Sequence, residues 1–254
     1  MGDGPAARGG YTSDLSVDEA LLLEEAGFDP LELVMGASFF HIGYQLAGWS
    51  RNREMERLTQ AMQEARALAM GRLLAQSEQH GADGVVGVRL TLDHRGHQAE
   101  FLAIGTAVRA RAGSWRVRGK PFTSELSGQD FWALVRAGYR PCGLVMGNCV
   151  YHVAHQSLGA WLGRIGNNCE MPNFTQALYD ARELAMARME TEARQAGATG
   201  VVGMRIQEGS YGWHTHIMEF VATGTAIAPG SAHQHDLIQP VIGMRDGALT
   251  NGLP

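Results

Sequence analysis

The chain states one pattern twice. Leu58-Thr59-Gln60-Ala61, Ala65-Arg66, Leu68-Ala69-Met70 and Arg72 return as Phe174-Thr175-Gln176-Ala177, Ala181-Arg182, Leu184-Ala185-Met186 and Arg188. Gly81-Ala82, Gly84-Val85-Val86-Gly87 and Arg89 return as Gly197-Ala198, Gly200-Val201-Val202-Gly203 and Arg205. Glu100-Phe101, Ala103 and Gly105-Thr106-Ala107 return as Glu219-Phe220, Ala222 and Gly224-Thr225-Ala226. Upstream, Ala26-Gly27, Pro30 and Leu33-Val34-Met35-Gly36 match Ala137-Gly138, Pro141 and Leu144-Val145-Met146-Gly147. Repetition at this period means two copies of one domain, not a single 254-residue fold. What both copies keep belongs to the shared scaffold. What one copy alone keeps is a candidate for function.

Two domains of about 100 residues each fall inside the usual range, at the small end where association adds stability. A hydrophobic content of 45% and a charged content of 19% are those of a soluble globular chain. The net charge is −5, and no run of Lys or Arg offers the basic face that phosphates need. Nucleic acid is therefore not expected as a partner. No apolar stretch reaches the roughly 20 residues that span a bilayer. The first residues lack the apolar core of a signal peptide. Cys142, Cys149 and Cys169 are an odd set confined to the second copy. They point to a reducing compartment rather than a disulfide framework, so a cytoplasmic location is expected.

The expected fold class is α+β: two repeated small domains, each an antiparallel-rich sheet packed on one long helix plus a short N-terminal helix. Residues 1–15 are Gly-rich and polar and are expected to be disordered. The first domain runs over 16–108, a linker over 109–126, the second domain over 127–228, and an irregular tail over 229–254. Ser16 and Glu19 form a capping box that opens the first short helix, with Ser127 and Asp130 as an echo. Gly27 and Gly138 suit the left-handed position that ends a helix, and Gly81 and Gly197 close the long helices in the same way. Leu31–Ile42 and Cys142–Val153 read as strands. Leu58, Met62, Ala65, Ala69 and Leu73 form a helical stripe, as do Phe174, Leu178, Ala181, Ala185 and Met189. Val86, Val88, Leu90 and Leu92 alternate on one strand face, and Gln98–Val108 returns after a turn at His94–His97. That returning strand is apolar on both faces: Phe101, Ala103 and Ala107 on one, Leu102, Ile104 and Val108 on the other. The long helix can cover only one of them. The second predicts assembly with another domain or subunit.

A helix with Ala-Arg, then Gly-Ala-x-Gly-Val-Val-Gly-x-Arg, then Glu-Phe-x-Ala-x-Gly-Thr-Ala resembles the YbjQ family, also called UPF0145, which carries a heavy-metal-binding label. The resemblance covers about 16–108 and 127–228. It implies small α+β domains that assemble as pentameric rings, and it supplies no catalytic residues. A tandem chain then implies a homo-oligomer with itself as partner, either a five-fold ring of ten domains or stacked rings.

Arg66/Arg182, Arg89/Arg205 and Glu100/Glu219 are charges that both copies keep. They read either as salt bridges that fix an interface or as a cluster that binds a small anion. His41 and His152 are a matched pair, read as hydrogen-bonded structural histidines or as ligands in a ring. The second copy alone has Cys149-x-x-His152-x-x-His155, a set suited to Zn²⁺ or a softer divalent metal. His214-x-His216 is a two-point clamp on one strand face. His94 and His97, and His233 and His235, are similar pairs. No phosphate-binding glycine loop, nucleophile elbow or His-Glu-x-x-His motif occurs. The expectation is a non-enzymatic binding or structural assembly. A metal-binding protein using the second-copy Cys/His set and an enzyme with an inter-domain cleft stand as alternatives.

Overall fold

The computed structural model describes residues 11–41, 52–95, 98–153, 172–210 and 217–230. The fold is α+β, with two repeated units, each setting an antiparallel-rich four-stranded sheet against one long helix. The first half contains α1 (Val17–Glu25), β1 (Phe28–His41), β2 (Arg53–Glu54), α2 (Glu56–Gln79), β3 (Gly84–Arg95) and β4 (Gln98–Ala110). The second contains β5 (Phe122–Thr123), α3 (Gly128–Arg136), β6 (Tyr139–His152), α4 (Pro172–Gln195), β7 (Gly200–Ser210) and β8 (Ile217–Pro229).

Local chemistry sets the element ends. The Ser16 hydroxyl accepts from the Glu19 N–H at 3.3 Å, and the Glu19 carboxylate accepts from the Ser16 N–H at 2.8 Å. This reciprocal pair satisfies donors that the first turn of α1 leaves open. Ser127 caps α3 by accepting from the Asp130 N–H at 3.1 Å. The stripe Leu58, Met62, Ala65, Ala69 and Leu73 is buried against the first sheet. In α4, Ala177, Ala181, Ala185 and Met189 are buried in the same way. Small residues let each helix cross its sheet closely. A Cβ on Gly36 would sit 2.0 Å from the Ala69 carbonyl oxygen, and one on Gly147 would sit 1.8 Å from that of Ala185. Only glycine fits at these crossings.

The expected alternation of Val86, Val88, Leu90 and Leu92 needs one correction. Val88, Leu90 and Leu92 face α2, but Val86 packs on the opposite side with Leu23 and Phe28. Val85 takes its place. The cause is a bulge: the β3–β4 register shifts between Val86 and Arg89, and Gly87 has φ 67°. An extra residue with positive φ reverses the alternation, and glycine adopts that conformation at little cost. Gly203 repeats it with φ 64° between Val202 and Arg205.

The two units exchange edge strands. The sheets are ordered β1-β4-β3-β5 and β2-β6-β8-β7. β5 lies in the stretch expected as a linker, yet it pairs in parallel with β3, Gly84 opposite Phe122 and Val85 opposite Thr123. β2 pairs antiparallel with β6 of the other unit, Arg53 opposite His152 and Glu54 opposite Tyr151. Residues 11–15, which composition assigns to a disordered stretch, instead bind β4. Ser13 Oγ lies 3.1 Å from Thr106 Oγ1, and the Asp14 N–H donates to the same oxygen at 3.4 Å.

A third junction is aromatic. Phe28 of β1 meets Phe131 of α3 edge to face at 5.1 Å, and Phe122 stacks on Phe131 at 5.8 Å. This cluster covers Val108 on the outer face of β4. Leu102 and Ile104 on that face stay half-buried. The doubly apolar strand is thus covered fully by α2 on one side and partly on the other.

Candidate functional site

The richest side-chain chemistry lies where the halves meet. The open edge of β6 is filled from the first unit. Beyond β2, the Met55 N–H donates to the Val150 carbonyl at 2.8 Å, and the Val150 N–H donates to Thr59 Oγ1 at 3.0 Å. Asn148 Nδ2 donates to the Thr59 carbonyl at 3.3 Å. Two ion pairs flank this edge. Arg188 of α4 forms an ion pair with Glu54 of β2: its Nη2 donates to Glu54 Oε2 at 2.9 Å, its Nη1 lies 2.7 Å from Oε1, and Nη1 donates to the Asn148 carbonyl at 2.8 Å. Arg66 of α2 donates to both oxygens of Glu192 of α4 and to the Met146 carbonyl at 3.2 Å. Glu192 also accepts from the Met146 N–H at 3.1 Å. Burial pushes the Glu54 carboxyl up, but hydrogen bonds from Arg188 and Thr59 and the Arg188 charge outweigh it and hold it below its ordinary value. These are charge-assisted, two-point contacts across a domain boundary, the geometry that fixes orientation.

Beside this edge, between the two sheets, is a cavity of about 180 Å³. Arg89, Glu125, Asn148, Arg205, Glu219 and Thr223 supply its polar wall. Glu125 is buried, and burial raises its carboxyl above the ordinary value against the opposing Thr223 hydrogen bond and Arg205 charge. Among the described residues, Glu125 Oε1 and Asn148 Oδ1 have no hydrogen-bond partner. The repeat partner of Glu125 is Asp14, which forms an ion pair with Arg89.

Comparison with known proteins decides the family. Residues 45–111 and 139–229 match the family described as "Putative heavy-metal-binding", YbjQ. Together these stretches make up more than half of the chain. The chain belongs to the YbjQ family. It is 49% identical over 223 residues to the "Encapsulin nanocompartment protein" of Mycobacterium tuberculosis, covering 85% of each chain. UPF0145 proteins of Thermus thermophilus and Archaeoglobus fulgidus are similar to part of it. The first is 36% identical over 95 residues, 35% of this chain and 80% of that protein. The second is 37% identical over 75 residues, 28% and 69%. The first matched stretch ends one residue past β4 and the second ends with β8, the closing strands of the YbjQ units.

Within this YbjQ pair, the charged residues that both copies keep take different places. Arg66 bridges the units, whereas its mate Arg182 is exposed on α4 and makes no ion pair among the described residues. Arg89, Arg205 and Glu219 line the cavity, and Glu100 sits half-buried on β4. His41 is exposed at the end of β1, and His152 is buried at the end of β6. Cys149 faces α4, packed on Ala181 and Ala185. His152, three residues on, leaves the opposite face of the strand. Burial, then the Glu54 charge, pushes the Cys149 thiol up to about 12, so it is protonated at neutral pH. A protonated thiol is not a ready metal ligand, though a metal can displace the proton. No group of three His, Cys, Asp or Glu side chains with metal-holding placement occurs among the described residues. His155, His214 and His216 lie outside them, as do His97, His233, His235 and Cys169.

The sequence reading missed several residues of the YbjQ junction. Glu54, Thr59, Arg188 and Glu192 make its strongest contacts, and Ser124 and Glu125 carry its second arm. The signal was present. Tyr11-Thr12-Ser13-Asp14-Leu15-Ser16 returns as Phe122-Thr123-Ser124-Glu125-Leu126-Ser127, so the repeat starts before the short helices. Ser124 Oγ meets Thr225 Oγ1 at 3.3 Å and the Glu125 N–H donates to that oxygen at 3.1 Å, as Ser13 and Asp14 do at Thr106.

Proposed function

We propose that this chain is a non-enzymatic, cytoplasmic, self-assembling structural or binding protein whose partner is itself. The observation that carries this reading is the outer side of β1. It is a 14-residue edge strand with exposed Leu33, Met35 and Phe39. A long apolar edge left open is a template for pairing with another chain, and soluble proteins cover such edges. The name of the Mycobacterium tuberculosis relative, an encapsulin nanocompartment protein, supports an assembly role. The family resemblance favours five-fold closure, as one ring of ten domains or as stacked rings. Analytical ultracentrifugation of the full chain at micromolar concentration tests this. A multi-subunit species with one dominant mass is expected, and a clean monomer overturns the reading.

The metal alternative rests on the family's description. Its ligands would be Cys149, His152, His155, His214 and His216. Elemental analysis of wild type against Cys149→Ala and His152→Ala tests it, with metal loss in the variants as the supporting result. An enzyme would use the inter-domain cavity, whose Glu125 carboxyl is raised as acid–base chemistry requires. No nucleophile paired with a base lines it among the described residues.

A further inference from the structure

We infer that the contact between the two halves of one chain is reused between chains: the α4–β7 side of one protomer covers the β1 edge of the next and takes that neighbour's 11–13 arm beside β7, head to tail. This rests on the self-assembly reading above and adds the surfaces, the polarity and the register.

The internal repeat supplies the template. Three residues exposed on one unit have mates that are buried on the other. Met35 is 53% exposed and its mate Met146 is 5% exposed. Phe39 is 68% exposed and its mate Val150 is fully buried. On the opposite side of the molecule, Met204 is 47% exposed and its mate Val88 is 1% exposed. Within the chain the two halves meet at these positions: Val150 packs with Met55, Leu58 and Met62 of α2, and Val88 and Met70 pack with Leu144, which is 6% exposed where its mate Leu33 is 36% exposed. The equivalents of those covering residues on α4 and β7 include Leu178, Met186 and Met204. The exposed sets therefore sit on the two ends that a head-to-tail contact would join.

The arm follows the same rule. The Phe122 ring occupies the space a side chain at Gly84 would fill, 2.2 Å from its ideal Cβ. Gly200 is the mate of Gly84. Among the described residues its ideal Cβ meets only Ile227 Cγ1, at 3.9 Å, an ordinary van der Waals contact that leaves the space beside it open to them. Tyr11, the mate of Phe122, is exposed. Polar groups match as well. Arg66 reaches across to Glu192 and the Met146 carbonyl. Its mate Arg182 is exposed, and the mate of Glu192 is Gln76, whose Oε1 accepts from the Met35 N–H at 2.7 Å as Glu192 does from Met146. Arg182 of one protomer would thus meet Gln76 and the Met35 carbonyl of the next. Each protomer uses different surfaces at its two ends, so the contact propagates until it closes into a ring.

Thr123 and Val85 are register partners. Their mates are Thr12 and Val201, so the double variant Thr12→Cys, Val201→Cys places two thiols within disulfide reach across the chain–chain contact. Oxidation with glutathione disulfide, followed by non-reducing electrophoresis, should give a ladder of covalent multimers that neither single variant gives. An oligomer by sedimentation that yields no ladder overturns this register while self-assembly stands. A monomer by sedimentation overturns both. Gln76→Glu provides a second readout: it recreates the Arg66–Glu192 pair between chains and should tighten assembly about fivefold. That gain should vanish in Gln76→Glu, Arg182→Ala, and an unchanged dissociation constant for Gln76→Glu counts against the pairing.

Discussion

β1 and β6 carry the same pattern 111 residues apart, and each is crossed by its own alanine-rich helix at a glycine. Their outer edges differ. At β1, Gln76 and Arg72 reach over the strand to bond the Met35 N–H and the Ala37 carbonyl, and among the described residues Met35 and Phe39 stay exposed. At β6, Glu192 and Arg188 do the same for the Met146 N–H and the Asn148 carbonyl, and then β2, Thr59 and Arg66 complete the edge. The fold of a unit is therefore separable from the covering of its edge. One is encoded within each repeat, and the other depends on a neighbour.

Variants at matched positions can break or sharpen that comparison. The largest effects belong to the shared scaffold. Gly36→Val and Gly147→Val each drive a side chain into a helix carbonyl and should each cost about 3 kcal/mol in urea unfolding. Tolerance of one but not the other would show that the two helix crossings are not equivalent. Arg66 and Arg182 should separate next. Arg66→Ala strips Glu192 of its cation in a part-buried contact and should cost about 2 kcal/mol. Arg182→Ala should stay within about 0.5 kcal/mol in the dissociated chain.

Glu54→Gln comes third, at about 1–2 kcal/mol near neutral pH. The folded Glu54 carboxyl lies below its ordinary value of 4.5. Its contribution is complete above that value and fades as pH falls through the folded pKa, so variant and wild type should converge in acid. The smallest effect has the opposite sign. Glu125 is raised above 4.5, so the folded chain holds its proton longer than the unfolded chain. Wild-type stability should decline as pH climbs from 4.5 through the raised value, and Glu125→Gln should flatten that decline in urea midpoints measured across this window.

Much of the scaffold was readable from spacing. The helical stripes, the terminating glycines and the capping box at Ser16 are local signals, and local signals survive without knowledge of the partner. The Gly87 bulge was not readable as such, because Val-Val-Gly-Val fits simple alternation until a positive φ reverses it. The junction was harder still. Arg72 and Arg188 were visible as a repeated pair, but their carbonyl partners lie on strands 35 and 40 residues away. Glu54 announces itself only when Asn52-Arg53-Glu54-Met55 is set against Asn168-Cys169-Glu170-Met171. Cys149 was singled out because it was unique to one copy. It stands where Ser38 stands in the other, a position that in both is buried between strand and helix.

The exchanged edge strands impose an order on synthesis. The segment from Arg53 to Thr59 completes its contacts only when β6, ending at His152, has emerged from the ribosome. At ordinary elongation rates those intervening residues take roughly 5–20 s to make. Throughout that interval Met55 and Leu58 lack the Val150 side chain that later buries them. A nascent chain of this protein is therefore exposed to mispairing with neighbouring nascent chains on the same message, at the very surface that its own second half is about to occupy.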